Sequence, residues 1–211
     1  APTWLRTVDF TPADAYRAND LSKEDIELAQ SLWSAKKRLT PLDVGQHDFT
    51  KKAGLACYAE AVAKVAPERA RSQTNTILFL NTVARAQAVF KALQKRNADV
   101  ELLLIHSRFR TAERTALTKH LGETPPPAGR IVVATQALEA GVDVTSAVML
   151  TEIAPWSSLV QRFGRCNRYG ECGSGGAEIF WIDLPDEAAP PYDENDLREA
   201  REKRAGLSAC G

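Results

Sequence analysis

The stretch RIVVATQALEAGVDVTSAVML, residues 130–150, holds two short apolar runs, Arg130 to Ala134 and Ala147 to Leu150, on either side of a segment carrying Thr, Gln, Gly and Asp. Both runs are rich in Ile, Val and Leu and neither alternates with polar residues, which is how strands covered on both faces read. Upstream lie two more runs of this kind, Ile77 to Leu80 and Leu102 to Ile105, and downstream a fifth, Glu178 to Ile182. Helical patterns separate them. Val83 to Arg96 places Ala, Val, Phe and Leu at helical positions, Thr111 opens a helix to Leu121, and Ser157 opens one to Tyr169, both as capping residues. Strand and helix in alternation predict an α/β fold, a parallel sheet with helices on both faces.

In open parallel sheets ligands collect outside the carboxyl ends of the strands. The polar punctuation of this sequence falls there. Asn81 and Thr82 follow the first run, His106, Ser107 and Arg108 the second, Thr135 and Gln136 the third, Thr151 and Glu152 the fourth. Any one group could be a helix cap or a turn. Four in register predict a binding edge.

After the fourth strand comes QRFGRCNR, residues 161–168, with Gln161, Arg165 and Arg168 at i, i+4 and i+7. On a continuous helix one face would carry an amide and two guanidiniums. Guanidiniums stay charged at working pH and their fork of donors matches phosphate oxygens, so the face predicts contact with a polyphosphate. The alternative is a solvated basic helix, which has no need of the poor helix formers Gly164 and Asn167.

In order and spacing, ILFLNT (77–82), LLLIHSRF (102–109), VVATQALEAGVDV (132–144) and SLVQRFGRCNR (158–168) resemble motifs IV, IVa, V and VI of the second RecA-like domain of superfamily 2 helicases. The resemblance spans 74–184, and motifs V and VI are its specific part. DEAD-box RNA helicases usually begin motif VI with His and end it in Gly-Arg, whereas Gln161 and Asn167-Arg168 stand here. HSRF, ATQALEAGVDV and TEIAPWSSLVQRFGRCNR are most similar to the helicase part of the type I CRISPR-associated helicase–nuclease. That resemblance implies half of an ATP-dependent DNA motor recruited by a surveillance complex. Arg165 and Arg168 would be arginine fingers, Gln161 would position the γ-phosphate or the attacking water, and Gly141 and Asp143 would meet the nucleotide. Thr135, Ser107 and Arg108, with Asn81 and Thr82, would contact single-stranded DNA. Two other readings stand beside it: a non-catalytic RecA-like platform for protein binding or regulation, and half of another superfamily 2 DNA or RNA helicase.

No G-x-x-x-x-G-K-S/T loop and no acidic Walker B box occur in the sequence, so the resemblance places the phosphate cradle and the Mg²⁺ ligands for ATP on a first RecA-like domain. The chain also begins with Ala, and is expected to be an excised fragment or one subunit of a split enzyme. His47-Asp48 has no nearby partners to complete a metal site and reads as a turn before the helix from Lys52 to Ala66. Four irregularly placed cysteines predict free thiols. No apolar stretch is long enough for a membrane span, which makes the cytoplasm the expected compartment. Equal numbers of basic and acidic residues, 27 each, argue against a freestanding electrostatic binder of nucleic acid.

The remaining segments are expected to be an incoming linker over 1–20, leading helices over 21–73 with Ile26, Ala29 and Trp33 on an apolar stripe, and an acidic Pro-rich linker with an exposed exiting helix over 185–211.

Overall fold

The computed structural model describes residues 35–96, 99–139 and 142–208, and the stripe of Ile26, Ala29 and Trp33 lies outside them. Six strands form one sheet: β1 (Lys37–Pro41), β2 (Asn75–Phe79), β3 (Glu101–Ile105), β4 (Arg130–Ala134), β5 (Val148–Glu152) and β6 (Ala177–Ile182). Their order is β1-β6-β5-β2-β4-β3. Every pairing is parallel. The α/β parallel sheet is therefore as the apolar runs predict, and β2, β4 and β5 are buried along their whole length.

Successive residues of a strand point to opposite faces, so the continuous apolar runs feed two cores. Leu78, Leu80, Ile131, Val133, Val148 and Leu150 face one side. There they meet Tyr58 and Val62 of α1 (Lys52–Arg69) and Val89 and Leu93 of α2 (Val83–Lys95). Ile77, Phe79, Val132, Ala134 and Met149 face the other side, with Leu121 of α3 (Thr111–Leu121), Leu138, Val144 and Cys166.

Three expectations need correction. The first concerns the leading segment: Lys37–Pro41 is an edge strand of the sheet, paired from Lys37↔Ala177 to Pro41↔Trp181, so the domain starts well before residue 74. The second concerns the tail. Helix α5 (Glu194–Ser208) is docked, with Leu197 and Ala200 fully buried, and Ala188 and Ala189 of the Pro-rich stretch are buried as well. Arg201 fixes it by donating to Asp183 at 2.9 Å and to the Leu184 carbonyl at 2.7 Å. The third concerns the arginine segment. Helix α4 (Trp156–Phe163) starts after Pro155 and stops at Gly164, so it covers only the first half of the predicted 157–169.

Two smaller expectations hold, the turn at Asp48 and free thiols among the described cysteines. Asp48 closes a turn onto the Thr50 N–H at 3.0 Å, and Lys51 bonds back to the Asp48 carbonyl at 3.2 Å, ahead of α1. Cys57, Cys166 and Cys172 are free thiols. Among the described residues no helix is long and apolar enough to cross a membrane.

Candidate functional site

Because α4 ends at Phe163, Gln161, Arg165 and Arg168 do not share a helical face. Gln161 is exposed on the last turn of α4, whereas Arg165 begins a tight turn in which its N–H bonds the Arg162 carbonyl at 2.8 Å. The chain then runs beside the residues ahead of β5: Ser146 donates to the Arg165 carbonyl at 3.0 Å, and Asn167 donates to the Ser146 carbonyl at 2.8 Å. Asn167 takes φ +48, the left-handed conformation that Asn tolerates better than most residues. Gly164 and Asn167, out of place on a solvated helix, thus end the helix and reverse the chain.

This turn gathers the polyphosphate candidates by another route. Arg168 Nε lies 3.1 Å from the Asp143 carboxylate, and the Tyr169 hydroxyl donates to the same carboxylate. The pair is open, with side chains 38% and 72% exposed, and exposed pairs hold weakly, by about 0–1 kcal/mol. An arriving anion can therefore displace Asp143 at small cost. Gly141 lies outside the described residues.

Arg165 differs. One of its Nη atoms donates to the Glu139 carbonyl at 3.0 Å, while its Nε is buried with no hydrogen-bond partner among the described residues. Desolvation lowers its pKa first and repulsion from Arg168 second, against the attraction of Asp143 and Tyr169. A buried donor without a partner costs about 1–3 kcal/mol. The turn therefore presents two mutually repelling guanidiniums, one of them short of an acceptor.

The polar residues at the strand ends form a different structure from the expected binding edge. Arg162, fully buried, donates to Glu139 at 2.8 Å, the Thr151 hydroxyl at 2.9 Å, the Glu152 carbonyl at 3.1 Å, the Asn81 side chain at 3.1 Å and the Tyr192 hydroxyl at 3.2 Å. Beside it the Glu152 carboxylate accepts from Tyr58 at 2.7 Å, the Asn81 N–H at 2.6 Å and Arg85 at 2.9 Å. Asn81 is buried and its amide also donates to Ile153, which removes it from the expected nucleic-acid surface. The Thr82 hydroxyl caps α2 by accepting from the Arg85 N–H. Thr135 is 2% exposed. Only the HSRF turn leaves expected contacts in the open. His106 is buried and stacks on Phe109 at 4.3 Å, which pushes Ser107 and Arg108 out to an exposed tip.

Glu139 joins the two regions: its carboxylate holds Arg162 and its carbonyl holds Arg165. Neither Glu139 nor Tyr192 stood out in the sequence, although a carboxylate one turn past an apolar strand must find a partner if the fold buries it. Cys166, inside the turn, is buried, and burial pushes its thiol up to about 12, so it stays protonated and unreactive. No group of three His, Cys, Asp or Glu suited to a metal exists among the described residues. What the turn offers is a cationic pair, Arg165 and Arg168, beside one exposed carboxylate, Asp143.

The family described as CRISPR-associated nuclease/helicase Cas3, C-terminal, matches residues 72–171, from the approach to β2 through the arginine turn. The chain contains a Cas3-type second RecA-like helicase domain. A putative CRISPR-associated nuclease/helicase Cas3 of Myxococcus xanthus is 34% identical over 145 residues, which cover 68% of this chain and 19% of that protein. The crystal structure of T. fusca Cas3-ATP superposes with TM-score 0.64 at 24% identity, covering 81% of this chain and 22% of that one. A CRISPR RNA-guided surveillance complex, pre-nicking, includes a chain that superposes at TM-score 0.53 and 24% identity, covering 82% and 23%. The chain thus spans about a fifth of the length of these Cas3 relatives. The Cas3-type match stops at residue 171, while β1, β6 and α5 complete the sheet and its cover outside it.

Proposed function

We propose that this domain is the arginine side of an ATP-driven DNA helicase that acts in CRISPR interference. The observation that carries the reading is the turn after α4, where Arg165 and Arg168 stand close enough to repel each other and Arg168 rests on an exposed, weakly held carboxylate. Arg168 is the guanidinium an outside anion would meet first, with Arg165 beside it. A first RecA-like domain would hold Mg²⁺ and ATP, whose hydrolysis supplies the energy for movement. Arg165 and Arg168 would neutralise the negative charge that grows on the phosphoryl group in the transition state. Gln161, exposed on the last turn of α4, would orient the γ-phosphate or the attacking water. Asp143 would release Arg168 and turn to the nucleotide ribose. The T. fusca relative with ATP and the relative within a surveillance complex support this assignment of nucleotide and partner.

On this reading the purified chain hydrolyses no ATP by itself, and turnover appears when the first RecA-like domain is supplied. Steady turnover by the chain alone, surviving rigorous removal of contaminating ATPases, would overturn the shared-site reading.

Ser107 and Arg108, at the exposed tip of the HSRF turn, are the proposed contacts to the phosphates of single-stranded DNA. In the full-length enzyme, Arg108→Ala should weaken binding of single-stranded DNA equally across sequences and reduce the slope of log K against log salt by about 0.7, one contact's worth. A loss confined to one base composition would indicate base readout. No loss at all would leave the turn a structural feature.

The platform reading, a RecA-like module without catalysis, is opposed by the same turn. A docking scaffold gains nothing from holding two guanidiniums close enough to repel each other.

A further inference from the structure

The arginine turn is gripped from its far side by the start of β1, a strand nothing in the helicase motifs includes. Lys37 Nζ donates to the Phe163 carbonyl at 2.8 Å, across 126 positions of sequence. Phe163 is the last residue of α4, and its carbonyl is one of those a helix leaves without an internal partner. An ammonium there also complements the negative end of the helix dipole. The Lys36 carbonyl, one residue earlier, accepts from the Asn167 side-chain amide at 3.1 Å and from the Ala177 N–H at 3.0 Å. Asn167 in turn accepts the Cys172 N–H at 3.0 Å. Gly176 makes room for this approach, since a Cβ at its φ of +64 would stand 2.9 Å from the Lys36 carbonyl oxygen.

The two residues before and at the head of β1 therefore hold both ends of the turn, Phe163 before Arg165 and Asn167 after it. We propose that Lys37 is a positioning residue for the arginine pair: it fixes where α4 stops and so where Arg165 and Arg168 are presented. The inference rests on the arginine-finger reading above. Its ammonium is desolvated against the turn, which lowers its pKa ahead of the opposing influence of Cys166 and Glu171, and Arg168 lowers it further. Lys37 is thus near enough to Arg168 to add to the positive field there. Because Lys37 sits at the sheet edge, on a largely exposed strand, its loss leaves both cores intact.

The test uses the full-length enzyme with DNA and ATP and compares Lys37→Met, Lys37→Arg and Arg165→Ala. Displacing a catalytic group by about 1 Å can cost on the order of 100-fold in rate, so Lys37→Met is expected to lower kcat by about 10- to 100-fold. Nucleotide Kd should stay within about twofold and the melting temperature should be unchanged, because the interaction serves the transition state and not the core. Lys37→Arg, which keeps a cationic donor to the Phe163 carbonyl, should recover most of the rate. Wild-type kcat in Lys37→Met while Arg165→Ala is impaired would overturn the positioning role and leave the fingers standing. A loss of kcat matched by a loss of melting temperature, with no rescue by Lys37→Arg, would make the contact structural and overturn it also. If Arg165→Ala itself turns over normally, the finger reading fails and this inference fails with it.

Discussion

Arg165→Ala in the full-length enzyme is expected to cut DNA-stimulated ATP turnover by on the order of 10³-fold or more, the range that arginine fingers contribute elsewhere. Arg168→Ala should fall in the same direction. The reason is the timing of the charge: a finger acts on negative charge that is greatest in the transition state, in a site from which water is largely excluded. Arg165 is already prepared for this. Its guanidinium is partly desolvated, its Nε has no acceptor among the described residues, and a bond to the Glu139 carbonyl fixes its direction. Arg165→Lys should rescue poorly, because an ammonium keeps the charge but loses the planar fork. Arg168 starts from a looser position on Asp143, so Asp143→Asn should leave Arg168 present but less well directed, with a smaller effect than either alanine variant.

Arg162→Ala should do the opposite, unfolding the domain more readily while sparing the chemistry. Arg162 is fully buried and pairs with Glu139, whose side chain is 10% exposed. Removing one partner of such a pair leaves a buried charge uncompensated and costs about 3–5 kcal/mol. For a protein of this size, that corresponds to a drop in melting temperature of roughly 10 °C. Four further acceptors, on Thr151, Glu152, Asn81 and Tyr192, lose their donor at once. Turnover measured well below the new melting temperature should fall far less than in Arg165→Ala. Its residual loss would come through Glu139, which touches both arginines. The double variant Arg162→Ala/Glu139→Ala should be less destabilised than the sum of the two single variants, since it removes both charges.

The two arginines three residues apart show what sequence alone could and could not give. Spacings of i, i+4 and i+7 fit one helical face, so the chain from 157 to 169 reads as a single helix. The residues that defeat that reading are in plain sight. Gly164 ends α4, and Asn167 turns the chain at positive φ. Gln161 is left on α4, and Arg168 instead meets Asp143 through a turn pairing with the segment ahead of β5.

The five apolar strands were legible because burial on both faces leaves continuous Val, Ile and Leu. Strand β1 was not. KRLTP puts only Leu39 against the cores, and an edge strand with Lys, Arg and Pro carries no apolar run. Helix α5 misled through its surface. Its Arg and Glu at i, i+4 spacing read as solvated, while the two residues that dock it, Leu197 and Ala200, make a stripe too narrow to stand out. Of the polar residues at the strand ends, Asn81, Thr135, Thr151 and Glu152 face inward, while Ser107 and Arg108 stand exposed. Whether Asn or Thr after a strand meets a ligand or a buried arginine depends on Arg162, 81 positions away from Asn81, and no local pattern reports that.

The measurement that bears most directly on the central claim is the cleavage of bound ATP in a single turnover by full-length Arg165→Ala, set beside its equilibrium affinity for ATP. The shared-site account predicts that the cleavage step slows by on the order of 10³-fold while affinity changes by no more than about tenfold, because the missing guanidinium acts mainly on charge that develops during reaction. An affinity loss as large as the loss of rate would make Arg165 a ground-state phosphate ligand, and an unchanged cleavage rate would remove it from the chemistry altogether. Either result would contradict the claim that this domain completes the nucleotide site with its arginine turn.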